Sequence, residues 1–275
     1  FGDQIKFRFV CQDNNPNQNG IAKTPYFYAM LPSFDSIFEE LEQNEENIQD
    51  MSYDIKEQVG DIQNIIEDMK LDMLKATEAN WEHQNKAQDS IGKMEDIFEE
   101  IEKMQEAIKS LEEQAEKNNI VDEELIQKFD QFQELLDSVM SPELLEALQK
   151  MQEALDNMDL EKMLEAAENF DYNLNQFEQQ LDRFIEMFEL ALAEQKIDEL
   201  VSSLELLVNE QKNIQDELKA GQSPQSLSSI QNRQNESFNN FQNKMNDTKK
   251  SVEKFSQNTA KSIDELMQSE LNKNT

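Results

Sequence analysis

The sequence predicts a mainly α-helical, elongated molecule: antiparallel helical hairpins forming a coiled-coil bundle, preceded by a short β-hairpin. Three observations carry this expectation. Apolar residues recur at alternating three- and four-residue spacing along five separate seams, the pattern of helices that bury one narrow stripe. Glycine and proline number only five each in 275 residues, so turns are few and segments run long. Hydrophobic residues make up 37% and charged residues 31%, which suits a stripe better than a broad globular core.

At the start, Ile5, Phe7, Phe9 and Cys11 alternate with Gln4, Lys6, Arg8 and Gln12, a period-two strand signal. The run Asp13-Asn14-Asn15-Pro16-Asn17-Gln18-Asn19-Gly20 is a turn cluster. A second strand is expected over 24–31, with Pro25 near its beginning. A lone hairpin is marginal in water, so residues 1–31 are expected to be the C-terminal hairpin of a truncated β-sandwich. The chain opens inside this pattern without Met or a signal peptide. It is therefore expected to be a piece of a longer protein, with any signal or membrane span upstream. Cys11 is expected to be a small core residue.

Ser33 is the expected N-cap of a long first helical segment, 32–119. Its two seams are Ile55, Val59, Ile62, Ile66, Met69, Met73 and Ala76, then Met94, Ile97, Ile101, Met104, Ile108, Leu111 and Ala115. A straight helix of about 80 residues from Asp35 reaches about 120 Å. The polar stretch Asn80-Trp81-Glu82-His83-Gln84-Asn85 is where it bends, changes partner or breaks. Trp81 is expected there as a contact point or as a knob closing the bend.

A helical bundle segment is expected over 120–220. Lys117-Asn118-Asn119 ends one helix, Asp122 caps the next, and that helix stops near Val139. Ser141-Pro142-Glu143 restarts with a cap, Pro at the first helical position and an acid in the first turn. Asp159 restarts once more. The third seam is Leu174, Phe177, Leu181, Phe184, Phe188 and Ala191; the fourth is Ile197, Leu200, Leu204, Leu207, Gln211, Ile214 and Leu218. The step from Ala191 to Ile197 breaks the register, so the contacted face is expected to shift there. Gly221-Gln222-Ser223-Pro224 is a tight turn, and a short turn between long helices makes an antiparallel hairpin. The last helix, within 221–275, carries Leu227, Ile230, Phe241, Met245, Val252, Phe255 and Leu266.

Charge excludes some partners. Lys and Arg total 25 against 59 Asp and Glu, a formal net charge of -34. Such a surface repels nucleic acid and anionic lipid. Direct membrane contact by this segment is not expected either, because no apolar run approaches the roughly 20 residues of a membrane span.

No catalytic, cofactor-binding or metal residues are assigned. His83 is the one histidine and is expected at an ordinary polar helix position; a base must adjoin its nucleophile, and Cys11 lies in a different domain. Carboxylate pairs such as Glu99-Glu100 and Glu112-Glu113 are expected on solvated faces. Asp13, Asn15, Asn17 and Asn19 before Gly20 loosely match a calcium loop, but Gln18 and Thr24 occupy the places of its Gly and bidentate Glu. A plain Asn-rich turn is the expectation. Thirteen Met and 16 Phe are expected as core filling, with a partner-binding groove as the alternative.

Two blocks of residues resemble a family. The first is Gly2-Asp3-Gln4-Ile5, then Asp13-Asn14 and Gly20, then Leu31-Pro32-Ser33-Phe34 leading into an acidic helix. The second is Met140-Ser141-Pro142-Glu143-Leu144-Leu145, then Phe177-Glu178-Gln179-Gln180-Leu181-Asp182-Arg183, then Glu194-Gln195-Lys196-Ile197-Asp198-Glu199-Leu200. Together they resemble a bacterial family of unknown function: large membrane-anchored envelope proteins with an Ig-like domain followed by a long Glu/Gln-rich helical region. One departure is Ile21-Ala22-Lys23, which delays the basic residue that commonly follows the turn Gly. The resemblance implies an Ig-like origin for the hairpin. It also implies anchoring upstream and a place in the cell envelope, on the periplasmic side of the inner membrane. It carries over no catalytic residue.

The seams and acidic surface lead to the expectation of a non-enzymatic structural or scaffolding region acting through protein–protein contacts or self-association. The alternative is a chaperone-like, client-binding module using Met/Phe-rich helical grooves.

Overall fold

The computed structural model describes residues 4–12, 20–30, 34–117, 123–221 and 223–268. The expected Asp13–Gly20 turn (apart from Gly20 itself) and the caps Ser33 and Asp122 lie outside them.

The described residues form four short strands and seven helices, confirming a mainly α molecule with a β-hairpin at its start. Two strands were expected; each arm is instead broken in two. β1 (Gln4–Phe7) pairs antiparallel with β4 (Phe27–Met30), and β2 (Val10–Gln12) with β3 (Ile21–Lys23). The break follows from Pro25, which has no N–H for the ladder. Phe7 faces Phe27 and Val10 faces Lys23, so the second arm holds one residue more and bulges. Thr24 repairs the gap: its Oγ1 accepts the Phe9 N–H at 3.0 Å and its own N–H donates to the Phe9 carbonyl at 3.0 Å. Cys11 is exposed rather than buried, because both described faces of the ribbon meet solvent.

α1 (Phe34–Met73) and α2 (Trp81–Lys117) replace the single long helix. They pack antiparallel. Lys86 Nζ meets Asp72 at 2.8 Å near the reversal, Gln58 meets Glu100 at 2.9 Å midway, and Asn44 meets Gln114 at 2.9 Å near the far end. The reversal is fixed by a reciprocal capping box. Asn80 Oδ1 accepts the His83 backbone N–H at 3.0 Å, and the Asn80 N–H donates to His83 Nδ1 at 3.4 Å. His83 is therefore a buried capping residue, not an ordinary polar position. Trp81 is 74% exposed, so it is not a knob closing the bend.

α3 (Glu123–Val139) and α4 (Pro142–Asn157) run in series back along α2. Between them, Ser141 accepts the Leu144 N–H at 3.2 Å and Pro142 opens α4, where its missing N–H costs nothing. α4 ends on Met158 in the left-handed region, φ 49°. Asp159 then caps α5 (Leu160–Lys219), accepting from Glu161 N at 3.1 Å and Lys162 N at 3.3 Å.

α5 is a single 60-residue helix, about 90 Å long. Its first half closes an up-down-up-down bundle against α1, α3 and α4. Pairs along α1 and α5 step in opposite directions: Lys70 with Asp171, Gln63 with Glu178, Gln49 with Glu189. The first three seams converge here. Ile55, Ile62, Ile97, Met104, Leu174 and Phe184 are among the fully buried, and Phe132 of α3 packs edge-on against Phe184 and Phe188, with ring centroids 5.9 and 5.3 Å apart. Each such side chain contributes about 1.5–3 kcal/mol.

Beyond the bundle, α5 pairs with α6 (Pro224–Glu253), and α7 (Gln257–Gln268) folds back on α6. Gly221, at φ 90°, supplies the left-handed turn between α5 and α6. In this arm the fourth seam is narrower than expected. Leu200, Leu207 and Ile214, seven apart, are buried, while Leu204 and Leu218 are exposed. Phe255 and Leu266 of the fifth seam are exposed as well. Fewer neighbours surround each helix than in the bundle, so a thinner line of residues is covered. The total accessible surface, 17506 Å², exceeds the roughly 12,000 Å² of a compact monomer of this mass, as an elongated molecule requires.

Candidate interaction surfaces

Where bundle meets arm, α1, α5 and α6 bring polar groups together inside the protein. Glu45 of α1 is 4% exposed and accepts from Gln195 Nε2 of α5 at 2.7 Å. Burial pushes its carboxyl up from the usual 4.5 to about 7; neighbouring Glu199 adds to this, while the Gln195 hydrogen bond and Lys196 oppose it. Glu199 is raised too, first by burial, with Lys244 of α6 among the groups opposing the shift. Gln195 Nε2 also reaches Glu199 at 3.3 Å, so one amide bridges two acids.

A second junction is centred on Glu189 of α5. Its Oε1 accepts from Gln49 Nε2 at 2.9 Å, Tyr53 OH at 2.7 Å and Lys254 Nζ at 2.8 Å. Burial alone pushes this carboxyl up, but the hydrogen bonds from Lys254 and Tyr53 outweigh it and hold it below the usual range. The same hydrogen bond to Glu189 is the main cause of a raised Tyr53 phenol. These contacts seat the end of α6 on α1 and α5, beside a groove of about 220 Å³ that includes Leu192 and Phe255. Both junctions fall at or near the register break expected between Ala191 and Ile197. Composition hid them, because 59 acids make any single Glu unremarkable; the usable signal was a Glu on the line of apolar seam residues.

Among the described residues, three apolar surfaces stand open. On the hairpin, Phe7, Phe9 and Phe27 cluster with centroids 5.7–5.9 Å apart, yet are 40, 65 and 45% exposed. On its other face, Lys6 and Arg8 lie over the Tyr26 ring at 4.4 and 4.9 Å. Between α6 and α7 runs a groove of about 280 Å³ lined by Phe238, Phe241, Met245 and Met267 together with Gln242 and Asn243. Finally, the outer face of α5 carries Leu190, Val201, Leu204 and Val208, all exposed.

His83 Nδ1 is occupied by the Asn80 N–H, and Cys11 stands exposed on the ribbon, so the structure does not join them as base and nucleophile. Glu100 bonds Gln58, and Glu113 lies 3.7 Å from Lys117, as surface carboxylates do. Among the described residues no three acids, histidines or cysteines gather as metal ligands, and no helix is long and apolar enough to cross a membrane. Compared with family models, curated proteins and solved structures, the chain matches none.

Proposed function

We propose that this chain is a non-enzymatic scaffolding region, acting through protein–protein contacts of its long helices. The observation that carries the reading is α5: one 60-residue helix shared by a four-helix bundle and a projecting arm. Such a helix sets a fixed distance and direction between two packed units, which is what a spacer or docking platform needs. The acidic exterior keeps it from nucleic acid and anionic lipid. We place it in the bacterial cell envelope on the strength of the two sequence blocks that resemble envelope proteins.

The test is the native mass of the protein as its cells make it, after gentle extraction. A complex heavier than the chain's own oligomers, lost on deleting the arm, is expected. Migration as a lone monomer overturns the proposal. Membrane and periplasmic fractionation tests the envelope placement separately.

The groove between α6 and α7 favours a second reading, a client-binding module, because Met245 and Met267 line it and Met side chains adapt to varied apolar partners. An unfolded client protected from aggregation in proportion to added chain supports it; unchanged aggregation removes it.

A further inference from the structure

α5 carries two apolar lines side by side. Ala193, Leu200, Leu207 and Ile214 recur every seventh residue and are buried, as befits the line that packs against α6. Next to it, Leu190, Ile197, Val201, Leu204 and Val208 recur at spacings of seven, four, three and four. At 3.6 residues per turn these five share one face, opposite the one that sends Phe177, Leu181, Phe184 and Phe188 into the bundle core. Leu190, Val201, Leu204 and Val208 are 40, 52, 38 and 44% exposed, and Ile197 is half-buried. The line spans about 27 Å. It places β-branched Val at one heptad position and Leu or Ile at the other, the composition of two-stranded coiled coils.

Charge decides the occupant. Asp198 and Glu205 flank the line on its free side, and Glu194 sits within it between Leu190 and Ile197, held by Lys128 of α3. A second copy laid antiparallel, with Val201 on Leu204 and Ile197 on Val208, brings Asp198 against Glu205 twice. Laid parallel, it stacks Glu194 on Glu194. Both arrangements oppose like charges, at a cost in affinity and specificity. We propose that this face docks one amphipathic helix of another protein, with aliphatic residues at three- and four-residue spacing and Lys or Arg beside them. This rests on the scaffold reading and assigns it a contact surface.

The test uses the whole chain and a labelled synthetic helix of about four heptads, with Leu and Ile in the seam and Lys at the flanks; a twin carries Glu instead. Fluorescence anisotropy is expected to show binding of the Lys helix alone. Val201→Asn with Leu204→Asn, neutral changes at exposed sites, is expected to weaken it at least about tenfold. Leu206→Asn, equally exposed on the opposite side of α5, leaves it unchanged. Asp198→Lys with Glu205→Lys is expected to reverse the preference toward the Glu helix, which keeps the test alive if the Asn pair unfolds the arm. Binding that survives the Asn pair is unspecific charge attraction and overturns the site, as does failure of both helices to bind. A concentration-dependent dimer abolished by the Asn pair shows that a second copy occupies the face and also overturns it. In either case a heavy native complex persisting in cells leaves the scaffold reading standing while this site falls.

Discussion

At the scale of single residues, Glu45 and Glu189 lie on one helical framework yet respond to pH with opposite sign. The Glu45 carboxyl sits at about 7 against its ordinary 4.5, so between these values the folded state holds more protons than the unfolded one. Stability therefore falls as pH rises from 4.5 to 7, by up to roughly 3 kcal/mol, and is flat above. Glu45→Gln keeps an acceptor for Gln195 and removes the titration. Urea unfolding is expected to find this variant more stable than the parent at pH 8 and nearly equal at pH 4.5; equal stability at pH 8 refutes the buried-acid account. Glu189 is held below its usual range. Its contribution is present above the ordinary carboxylate value and is lost as pH falls through the depressed one. Glu189→Gln weakens three hydrogen bonds that were made to a charge, at a cost of about 1–3 kcal/mol. Hydrogen exchange is expected to quicken at the end of α6 around Lys254 while α2 stays protected. Uniform quickening contradicts a local anchor.

At the scale of elements, punctuation with its own chemistry was legible. Ser141-Pro142, Asp159 and Gly221 all stand where the sequence put them, because caps and turns depend on residues within three or four positions. The α1–α2 reversal was marked only as a weak point. It contains neither Gly nor Pro, and its signal was Asn80 followed three residues later by His83, an uncommon pairing for a capping box. Which of two parallel apolar lines on α5 is buried was not legible at all: both have heptad spacing, and only α6 packing on one of them separates the two. Cys11 failed for a related reason, since alternation says which side chains share a face but not whether anything covers it.

Met158 occupies a left-handed position that costs a non-glycine residue about 1–2 kcal/mol, so Met158→Gly is expected to raise stability by about 0.5–1 kcal/mol in chemical denaturation. Ser141→Ala removes the cap on Leu144 N and is expected to lower stability by about 1 kcal/mol. If the two changes shift the midpoint in the same direction, the assignment of these caps is wrong.

At the scale of the molecule, two cores of unequal size share one helix. The bundle core draws on α1 through α5, whereas the arm core consists of Leu200, Leu207, Phe241, Met245 and Ile263 with Phe238 and Met267 beside it. Amides of α6 and α7 are therefore expected to exchange by a lower-energy opening than those of α2, read by native-state hydrogen exchange. A single common opening energy contradicts this division. The net charge of -34 adds self-repulsion throughout. Raising salt from about 0.02 to 0.3 M shortens the screening length several-fold and is expected to raise the melting temperature, even though the surface ion pairs it weakens are worth only about 0–1 kcal/mol each. A fall in melting temperature means those pairs outweigh the repulsion.

The unbroken passage of α5 from bundle to arm also constrains how this chain can change length. One residue inserted between Ala191 and Leu200 turns everything beyond it by about 100° and advances it about 1.5 Å. The arm then points elsewhere, and the Gln195 and Lys254 junctions are torn. Seven residues nearly restore the azimuth, but only if α6 gains a matching heptad. Length variants of this segment should therefore survive as paired whole heptads.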